Sequence, residues 1–274
     1  MHRWHSKKTG TGQFYAKISF GDKGDVRANR WPEHIRTLIF PGECGHFTPA
    51  FWLKNLKDMK DMVDLRELLE SWPYDPEDNV RKLRAKDGRE VLQVRLPLGL
   101  EQYELDGRPD GTRPHGKESL LEYHQERLEQ AKIDGKEEAF GLSHEECDEL
   151  FAEGTLYYFR YLHCFQVKEW QRTIRDTRRN LRLFDFVHQY AELEEDQLYL
   201  EQWRPYILRM NAAAHAMFEL EAGDHSQAIA HLNAAARQIE ALPENDDETS
   251  QYERQRSLEA LREMAEQIDK VKPL

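Results

Sequence analysis

Four arginines follow one another at the spacing of a single helical face. Arg172, Arg175, Arg179 and Arg182 are separated by three, four and three residues, within a predicted helix over residues 169–189. The opposite face of that helix carries residues suited to a core: Trp170, Ile174, Thr177, Leu181 and Phe184. Guanidinium groups bind phosphates and carboxylates through forked hydrogen bonds. This arginine row therefore predicts a surface for an acidic peptide or for the backbone of a nucleic acid.

The arginine row has a second interpretation, in which it pairs with acidic side chains of the same chain. The acidic run lies on the next predicted element and consists of Glu192, Glu194, Glu195 and Asp196. Adjacent helices of opposite charge pair with each other, and the chain is acidic overall, with a formal net charge of -12. We favour this interpretation and expect the row to stabilise the fold.

The loop after the predicted strands gathers acids and bases before a helix begins. Its ionisable residues are Asp106, Arg108, Asp110, Arg113 and His115. Such a loop predicts an anion site at a helix N-terminus, or acid–base catalysis by His115. The alternative, which we favour, is a pair of turns at Asp-Gly and Pro-Asp-Gly in which Arg108 and Arg113 bind the neighbouring acids.

No other pattern in the sequence predicts catalysis, a metal or a cofactor. His144 and Cys147 lie three residues apart near a predicted helix start, but the sequence offers no second pair of zinc ligands. Cys44, Cys147 and Cys164 are odd in number and far apart, which excludes a disulfide framework. The sequence has no motif for nucleotide binding, metalloproteases or serine hydrolases. We therefore expect no catalytic residues, no metal and no cofactor.

The clearest strands lie in residues 79–105. Asp87 and Gly88 stand between two extended runs, which indicates a β-hairpin because Gly adopts positive φ without a steric clash. In the second run two sets of residues alternate: Val91, Gln93 and Arg95 with Leu92, Val94 and Leu96. This alternation predicts a small antiparallel meander with one face covered by the helices that follow.

From residue 117 onwards, apolar residues recur at three- and four-residue spacing, which predicts helices. Ser143 and Glu146 form a capping box at one helix start, Gly154 is predicted to end that helix, and Pro243 is predicted to end a later one. The predicted helices cover residues 117–132, 143–153, 155–166, 169–189, 193–221, 225–241 and 249–270. The predicted fold class is therefore α+β and mainly α, a small antiparallel β-meander followed by an α-helical bundle.

The stretch over residues 155–242 resembles the helical hairpins of tetratricopeptide (TPR) repeats. The matching residues are Gly223 and Asp224 in the turn, Ala228 and Ala235 at small-residue positions, and Ile229 and Leu232 at packing positions. The resemblance implies a stack of antiparallel helix pairs, each of which buries an apolar face on the next. It also implies that Ala228 and Ala235 are buried between helices.

The final predicted helix resembles the UVR motif shared by subunits B and C of the nucleotide-excision-repair nuclease. The resemblance rests on Tyr252, Glu253 and Arg254 followed by an amphipathic run. Together with the segments PYDPEDNVR, LGLEQYELDGRPDGTRPHG and GTLYYFRYLHCFQ, it makes the chain similar to bacterial UVR-motif-containing proteins. This resemblance implies a helical element for protein–protein contact, without catalytic residues.

Charge divides the chain into unlike parts. Residues 1–61 hold 11 Lys and Arg against 6 Asp and Glu, whereas residues 62–274 hold 28 against 45. We interpret residues 1–61 as a basic, poorly ordered extension, with translation from Met59 or Met62 as one explanation and a basic arm for an acidic partner as the alternative. Residues 62–116 are predicted to hold a short helix and the meander, and residues 117–274 the TPR-like bundle with its UVR-like C-terminal helix.

The composition favours a cytoplasmic protein that binds no membrane. No window contains the roughly 18 consecutive apolar residues of a spanning helix, and the first residues lack the apolar run of a secretory signal. An acidic chain repels phosphates, which disfavours nucleic acid as the partner. The predicted function is non-catalytic protein–protein interaction through a helical groove or the C-terminal helix. The alternatives are anion or nucleic-acid binding through the arginine row, and catalysis in the loop over residues 106–115.

Overall fold

The computed structural model describes residues 64–243 and 247–271. The interpretation of residues 1–61, and Cys44 with it, lies outside the described residues. The described chain forms a small sheet followed by a helical bundle, which confirms the predicted fold class. In chain order the elements are α1 Arg66–Ser71, β1 Val80–Arg84, β2 Glu90–Leu96, β3 Gly99–Glu104, α2 Leu120–Ile133, α3 His144–Gln166, α4 Trp170–Tyr190, α5 Glu194–Tyr199, α6 Arg204–Glu221, α7 His225–Glu240 and α8 Glu248–Lys270.

The sheet is an antiparallel meander in the order β1-β2-β3. Val80 lies opposite Val94, and Val91 lies opposite Glu104. Gly88 has a φ of 89° in the turn between β1 and β2, which confirms the predicted hairpin. One face of the sheet forms a small apolar core with Cys164 of α3, and its buried residues are Val80, Leu92, Val94, Tyr103 and Leu105.

The prediction that only one face of the meander is covered is wrong. Gln93 and Arg95, on the second face of β2, are also buried. Gln93 accepts a hydrogen bond from Arg81 and donates one to Gln102, and Arg95 Nε donates to the carbonyl oxygen of Trp72 at 2.8 Å. These bonds satisfy the polar groups, so the segment that precedes β1 covers this face without leaving them unpaired.

The sequence predicted that Gly154 ends a helix, and this prediction is wrong. Gly154 lies inside the continuous helix α3. Its carbonyl oxygen accepts a hydrogen bond from the Asn180 amide of α4 at 2.9 Å. A Cβ atom at Gly154 would lie 2.9 Å from the Leu183 side chain. Glycine therefore serves close packing of α3 on α4 here. The capping box of Ser143 and Glu146 at the start of α3 is confirmed.

The prediction of a single helix over residues 193–221 is also wrong. The structure has the short helix α5, a 3-10 turn over Glu201–Trp203 and then α6. Pro205 lies in the first turn of α6. In a continuous helix its ring would clash with the carbonyl of Glu201, and its nitrogen could donate no hydrogen bond to that carbonyl. The helix therefore restarts at this point.

The long helices from α3 onwards pack on their neighbours in chain order. α4 packs between α3 and α6, α7 packs on α6, and α8 covers both α6 and α7. Gly223 makes the turn between α6 and α7 with a φ of 81°. Ala228 and Ala235 are buried in the core that α6, α7 and α8 share, as predicted. The TPR resemblance itself stays a prediction.

Candidate functional site

The first half of the arginine row binds the sheet and the loop that follows it. Arg172 donates to Glu90 Oε2 at 2.7 Å and to the carbonyl oxygen of Leu105 at 2.9 Å. Arg175 donates to the same carbonyl at 2.7 Å, and both arginines lie 3.1 Å from Asp106 Oδ1. These bonds hold the meander against α4.

Arg179, the third member of the row, is buried and ion-paired with Glu153 of α3. The Glu153 carboxylate is 0% exposed and also accepts from the N–H groups of Leu120 at 2.8 Å and Leu121 at 3.2 Å. These two residues begin α2, where backbone N–H groups have no partner within the helix. Arg108 Nε lies 3.2 Å from the same carboxylate. One buried carboxylate thus joins α2, α3, α4 and the loop.

The predicted pairing of the arginine row with the acidic run at residues 192–196 is wrong. Asp196 lies 3.0 Å from His144 Nδ1 instead, and this hydrogen bond raises the pKa of His144. The acidic run begins beyond the end of α4, and at 1.5 Å per residue Arg175 lies about 22 Å along the axis from that end. The partners of the row therefore come from elements packed beside α4, which the order of residues along the chain does not reveal.

Sequence reasoning missed a second buried ion pair, between Arg160 of α3 and Asp176 of α4. The guanidinium binds both carboxylate oxygens, at 2.6 Å and 2.9 Å, and each side chain is 1% exposed. Arg160 Nη1 also donates to the carbonyl oxygens of Glu104 at 2.8 Å and Gly107 at 2.7 Å. This pair fixes the end of β3 to the helix pair.

The sequence did contain a signal for these two buried pairs. Glu153 and Arg160 share the helical stripe of Leu150, Tyr157 and Cys164, which is the buried face of α3. A charged residue at a core position of a helix indicates a buried partner, because an unpaired charge there is too costly.

The loop over residues 106–116 forms the predicted turns. Gly107 and Gly111 have positive φ, and Arg108 lies 3.3 Å from Asp110, as predicted. Arg113 has no acidic partner among residues 64–243 and 247–271, so the prediction that it binds a neighbouring acid is wrong. The His115 ring stacks on Tyr123 at 4.0 Å and makes no hydrogen bond to another described side chain.

Neither thiol in the described part of the chain is placed to act as a nucleophile. Cys147 and Cys164 are buried, and burial raises the pKa of each to about 12. Both remain protonated near neutral pH, and only the thiolate is nucleophilic or binds metals. No three His, Cys, Asp or Glu side chains converge on a metal position within the described residues.

The residues of the UVR-like helix attach α8 to its neighbours. Glu253 is buried 3.1 Å from Arg209 of α6 and accepts from Ser257 at 3.0 Å. Arg254 donates to the carbonyl oxygen of Glu240, in the last turn of α7, at 2.7 Å and to that of Leu242, just beyond the helix, at 3.0 Å. Both side chains therefore stabilise the bundle.

The outward face of α3 carries no charge over most of its length. From Leu150 to Gln166 the charged residues are Glu153 and Arg160, which are both buried, although 33% of the whole chain is charged. The residues that point outward follow at intervals of three and four and define the α3 face: Ala152, Thr155, Phe159, Leu162 and Gln166. This face spans about 21 Å at 1.5 Å per residue.

Aromatic side chains widen the α3 face. Phe159 is 37% exposed, and the neighbouring rings of Phe151, Tyr158 and Phe165 are partly exposed. Tyr158 contacts Phe159 at 5.2 Å and extends the face towards Tyr206 of α6, at 6.0 Å between ring centres. Burial lowers the pKa of His163 on the same helix, so its imidazole is neutral at pH 7 and adds no charge.

Arg182 is the member of the arginine row that has no ion-pair or hydrogen-bond partner within the described residues. It lies at the rim of an open groove of about 350 Å³ between α2 and α4. Leu128, Phe186 and Tyr190 supply the apolar lining. The row thus separates into three arginines that hold the fold together and one that faces a groove.

Comparison of the chain with protein-family models, with curated proteins and with solved structures finds no match. Among the described helices, none combines the length and the apolar character that crossing a membrane requires.

Proposed function

We propose that the protein is a non-catalytic protein-binding module and that the α3 face is its binding surface. The observation that carries this proposal is the lack of charge on a 17-residue, partly exposed stretch of helix from Leu150 to Gln166, whose two charged residues are both buried. Contiguous exposed apolar residues mark interaction surfaces, and the centres of interfaces are poor in charge and rich in aromatic residues.

The chemistry of the α3 face defines the kind of partner. Phe159 and Leu162 lie one turn apart on α3, which suits the apolar stripe of a partner helix or an extended apolar peptide. An uncharged face gains little from a charged partner, because desolvation of that charge would not be offset by an ion pair. The partner is therefore a protein segment with apolar side chains at its contact surface.

The arginine row and the C-terminal helix, which were also predicted to bind partners, make contacts within the chain itself. Arg172, Arg175 and Arg179 are bound to carboxylates of the same chain, so they offer no free row of cations to a phosphate backbone. Glu253 and Arg254 of the C-terminal helix contact α6 and α7. Among the described residues, these two elements are therefore less suited to a protein partner than the α3 face.

A photo-crosslinking amino acid at Phe159, in the full chain expressed in its own cells, tests the proposal. A control variant carries the same amino acid at Glu122, an exposed position on α2. Position-specific adducts at Phe159 should disappear when Thr155→Lys adds a charge to the α3 face, and they should persist with Gln238→Lys on α7. Thr155 and Gln238 are both exposed, so neither change should unfold the protein.

Three results would overturn the proposal: no adduct at Phe159, the same adducts at Glu122, or adducts that Thr155→Lys leaves unchanged. A product at twice the mass of the chain would identify the partner as a second copy, and its loss with Thr155→Lys would still place the contact on the α3 face.

A further inference from the structure

The polar side chains of the α3 face already have hydrogen-bond partners within the chain. The Thr155 hydroxyl donates to the carbonyl oxygen of Phe151 at 3.0 Å, and the Gln166 amide donates to Asn79 Oδ1 at 3.1 Å. A polar group is costly to bury when it has no partner. Both hydrogen bonds would persist under an apolar cover, so the α3 face is suited to a contact from which water is excluded.

The side chains of the α3 face increase in size from the start of the helix to its end. Ala152 and Thr155 are small, Leu162 and Gln166 are larger, and Phe159 lies seven residues from each end of the series. A second α3 helix that runs antiparallel about Phe159 would place Gln166 opposite Ala152 and Leu162 near Thr155. Helices pack closely when the side chains of one fill the gaps of the other, so the α3 face is complementary in size to itself.

The charges at the two ends of α3 also favour an antiparallel copy. Asp148 and Glu149 are exposed near its start, and Lys168 is exposed just beyond its end. An antiparallel pair brings opposite charges together at both ends, whereas a parallel pair brings like charges together. Two chains with a net charge of -12 repel each other, and a face without charge is where they approach at the lowest cost.

We propose that the occupant of the α3 face is a second copy of this chain, in an antiparallel pair of α3 helices with a two-fold axis at Phe159. This inference rests on the proposed function. A two-fold contact uses the same patch on both copies, which requires the self-complementary face described above. The face is about 21 Å long and about one helix diameter wide, which is small beside the roughly 800 Å² per partner of a standard interface. The pair should therefore form reversibly and depend on concentration.

Sedimentation velocity of the purified full chain tests the association. Between about 5 µM and about 500 µM, the mean mass should rise from that of one chain towards that of two. Thr155→Lys should weaken the dimer at least about tenfold, because each dimer would then bury two unpaired ammonium groups. Gln238→Lys adds the same charge at an exposed position of α7 and should leave the dissociation constant unchanged.

Paired cysteine variants test the antiparallel arrangement. Ala152→Cys and Gln166→Cys are made in a Cys44→Ser background, in which Cys147 and Cys164 stay buried. Under mild oxidation a mixture of the two variants should form a disulfide-linked dimer. Neither variant should do so alone, because the two copies of one position lie about 21 Å apart along the antiparallel pair, which is too far for a disulfide.

A single-chain mass at every concentration would refute the second copy, and so would a dimer that Thr155→Lys leaves intact. Efficient crosslinking of Ala152→Cys with itself would refute the antiparallel pair. Failure of this inference is distinguishable from failure of the proposed function. If the purified chain stays monomeric while Phe159 captures a partner of another mass in cells, the second copy is refuted and the binding surface stands.

If Phe159 gives no adduct in cells, the proposed function fails as well. A rise in mass that Thr155→Lys reverses, together with a disulfide that forms only in the mixture, would establish the antiparallel pair.

Discussion

Helices α3 and α4 are neighbours in one helical hairpin, yet they use charged residues in opposite ways. Three arginines of α4 reach carboxylates of the sheet, the loop and α3, and the α3 carboxylate, Glu153, is completely enclosed. α3 turns both of its central charged residues inward and presents uncharged side chains outward. The difference teaches that ionic groups hold this molecule together, so a row of charges does not by itself mark its binding surface.

A physical reason for this arrangement is the small size of the meander. Three short strands bury too little apolar surface to be stable alone, so the sheet needs support from the helices. Arg160, Arg172 and Arg175 supply that support through bonds to the backbone and side chains at the end of β3. Such bonds depend on direction, so they fix the orientation of the sheet as well as its contact with the bundle.

The largest loss of stability is expected when the buried ion pair between Glu153 and Arg179 is broken by Glu153→Gln. This change removes the charge that pairs with Arg179 and leaves a buried guanidinium uncompensated. We expect the free energy of unfolding to fall by about 3–5 kcal/mol. Urea denaturation followed by circular dichroism measures the loss. Glu149→Gln, at an exposed position on the same helix, is the control and should change stability by no more than about 0.5 kcal/mol. Equal urea midpoints for the two variants would show that the buried ion pair of Glu153 does not stabilise the fold.

A second prediction tests whether the buried and the exposed members of the arginine row contribute differently to stability. Arg179→Gln should lower the free energy of unfolding by about 3 kcal/mol, because the Glu153 carboxylate is then buried beside one fewer cation. Arg182→Gln, one turn along the same helix, should cost at most about 0.5 kcal/mol. Thermal melts of the two variants measure the contrast. If both variants melted at the same temperature, the separation of the row into structural and exposed members would be refuted.

The smallest expected effect concerns an arginine of α4 that binds a neutral ring. Arg178 Nη2 donates to His215 Nε2 at 2.9 Å, and His231 stacks on His215 at 4.5 Å. Burial first, and then the charges of His231 and Arg178, lower the pKa of His215 to about 4. Its pKa in the unfolded chain is about 6.5, so the unfolded chain binds more protons between these two values. Stability should therefore decrease as the pH falls through this window.

Because the His215 ring is partly exposed, we expect a loss of only about 1 kcal/mol at about pH 5 relative to about pH 7. Urea denaturation at the two pH values measures it, and His215→Gln should show a smaller difference than the parent chain. A variant with the same pH dependence as the parent would show that His215 does not contribute.

Local patterns predicted much of the fold and less of the site. The Asp87-Gly88 turn and the capping box at Ser143 follow from backbone sterics within a few residues. The burial of Ala228 and Ala235 was expected from the resemblance to TPR hairpins. The same local reasoning failed at Gly154, where a glycine inside a helix serves packing against another helix.

The sequence by itself determined the periodicity of each helix, and therefore which residues share a face. It placed Arg172, Arg175, Arg179 and Arg182 on neighbouring positions of one helix and left their partners open. Only the tertiary structure decided that Glu153, at 26 positions from Arg179, is the buried partner while Arg182 faces a groove. The physical reason is that a helical repeat is set by hydrogen bonds between residues close in sequence, whereas the burial of a charge depends on which distant elements pack beside it.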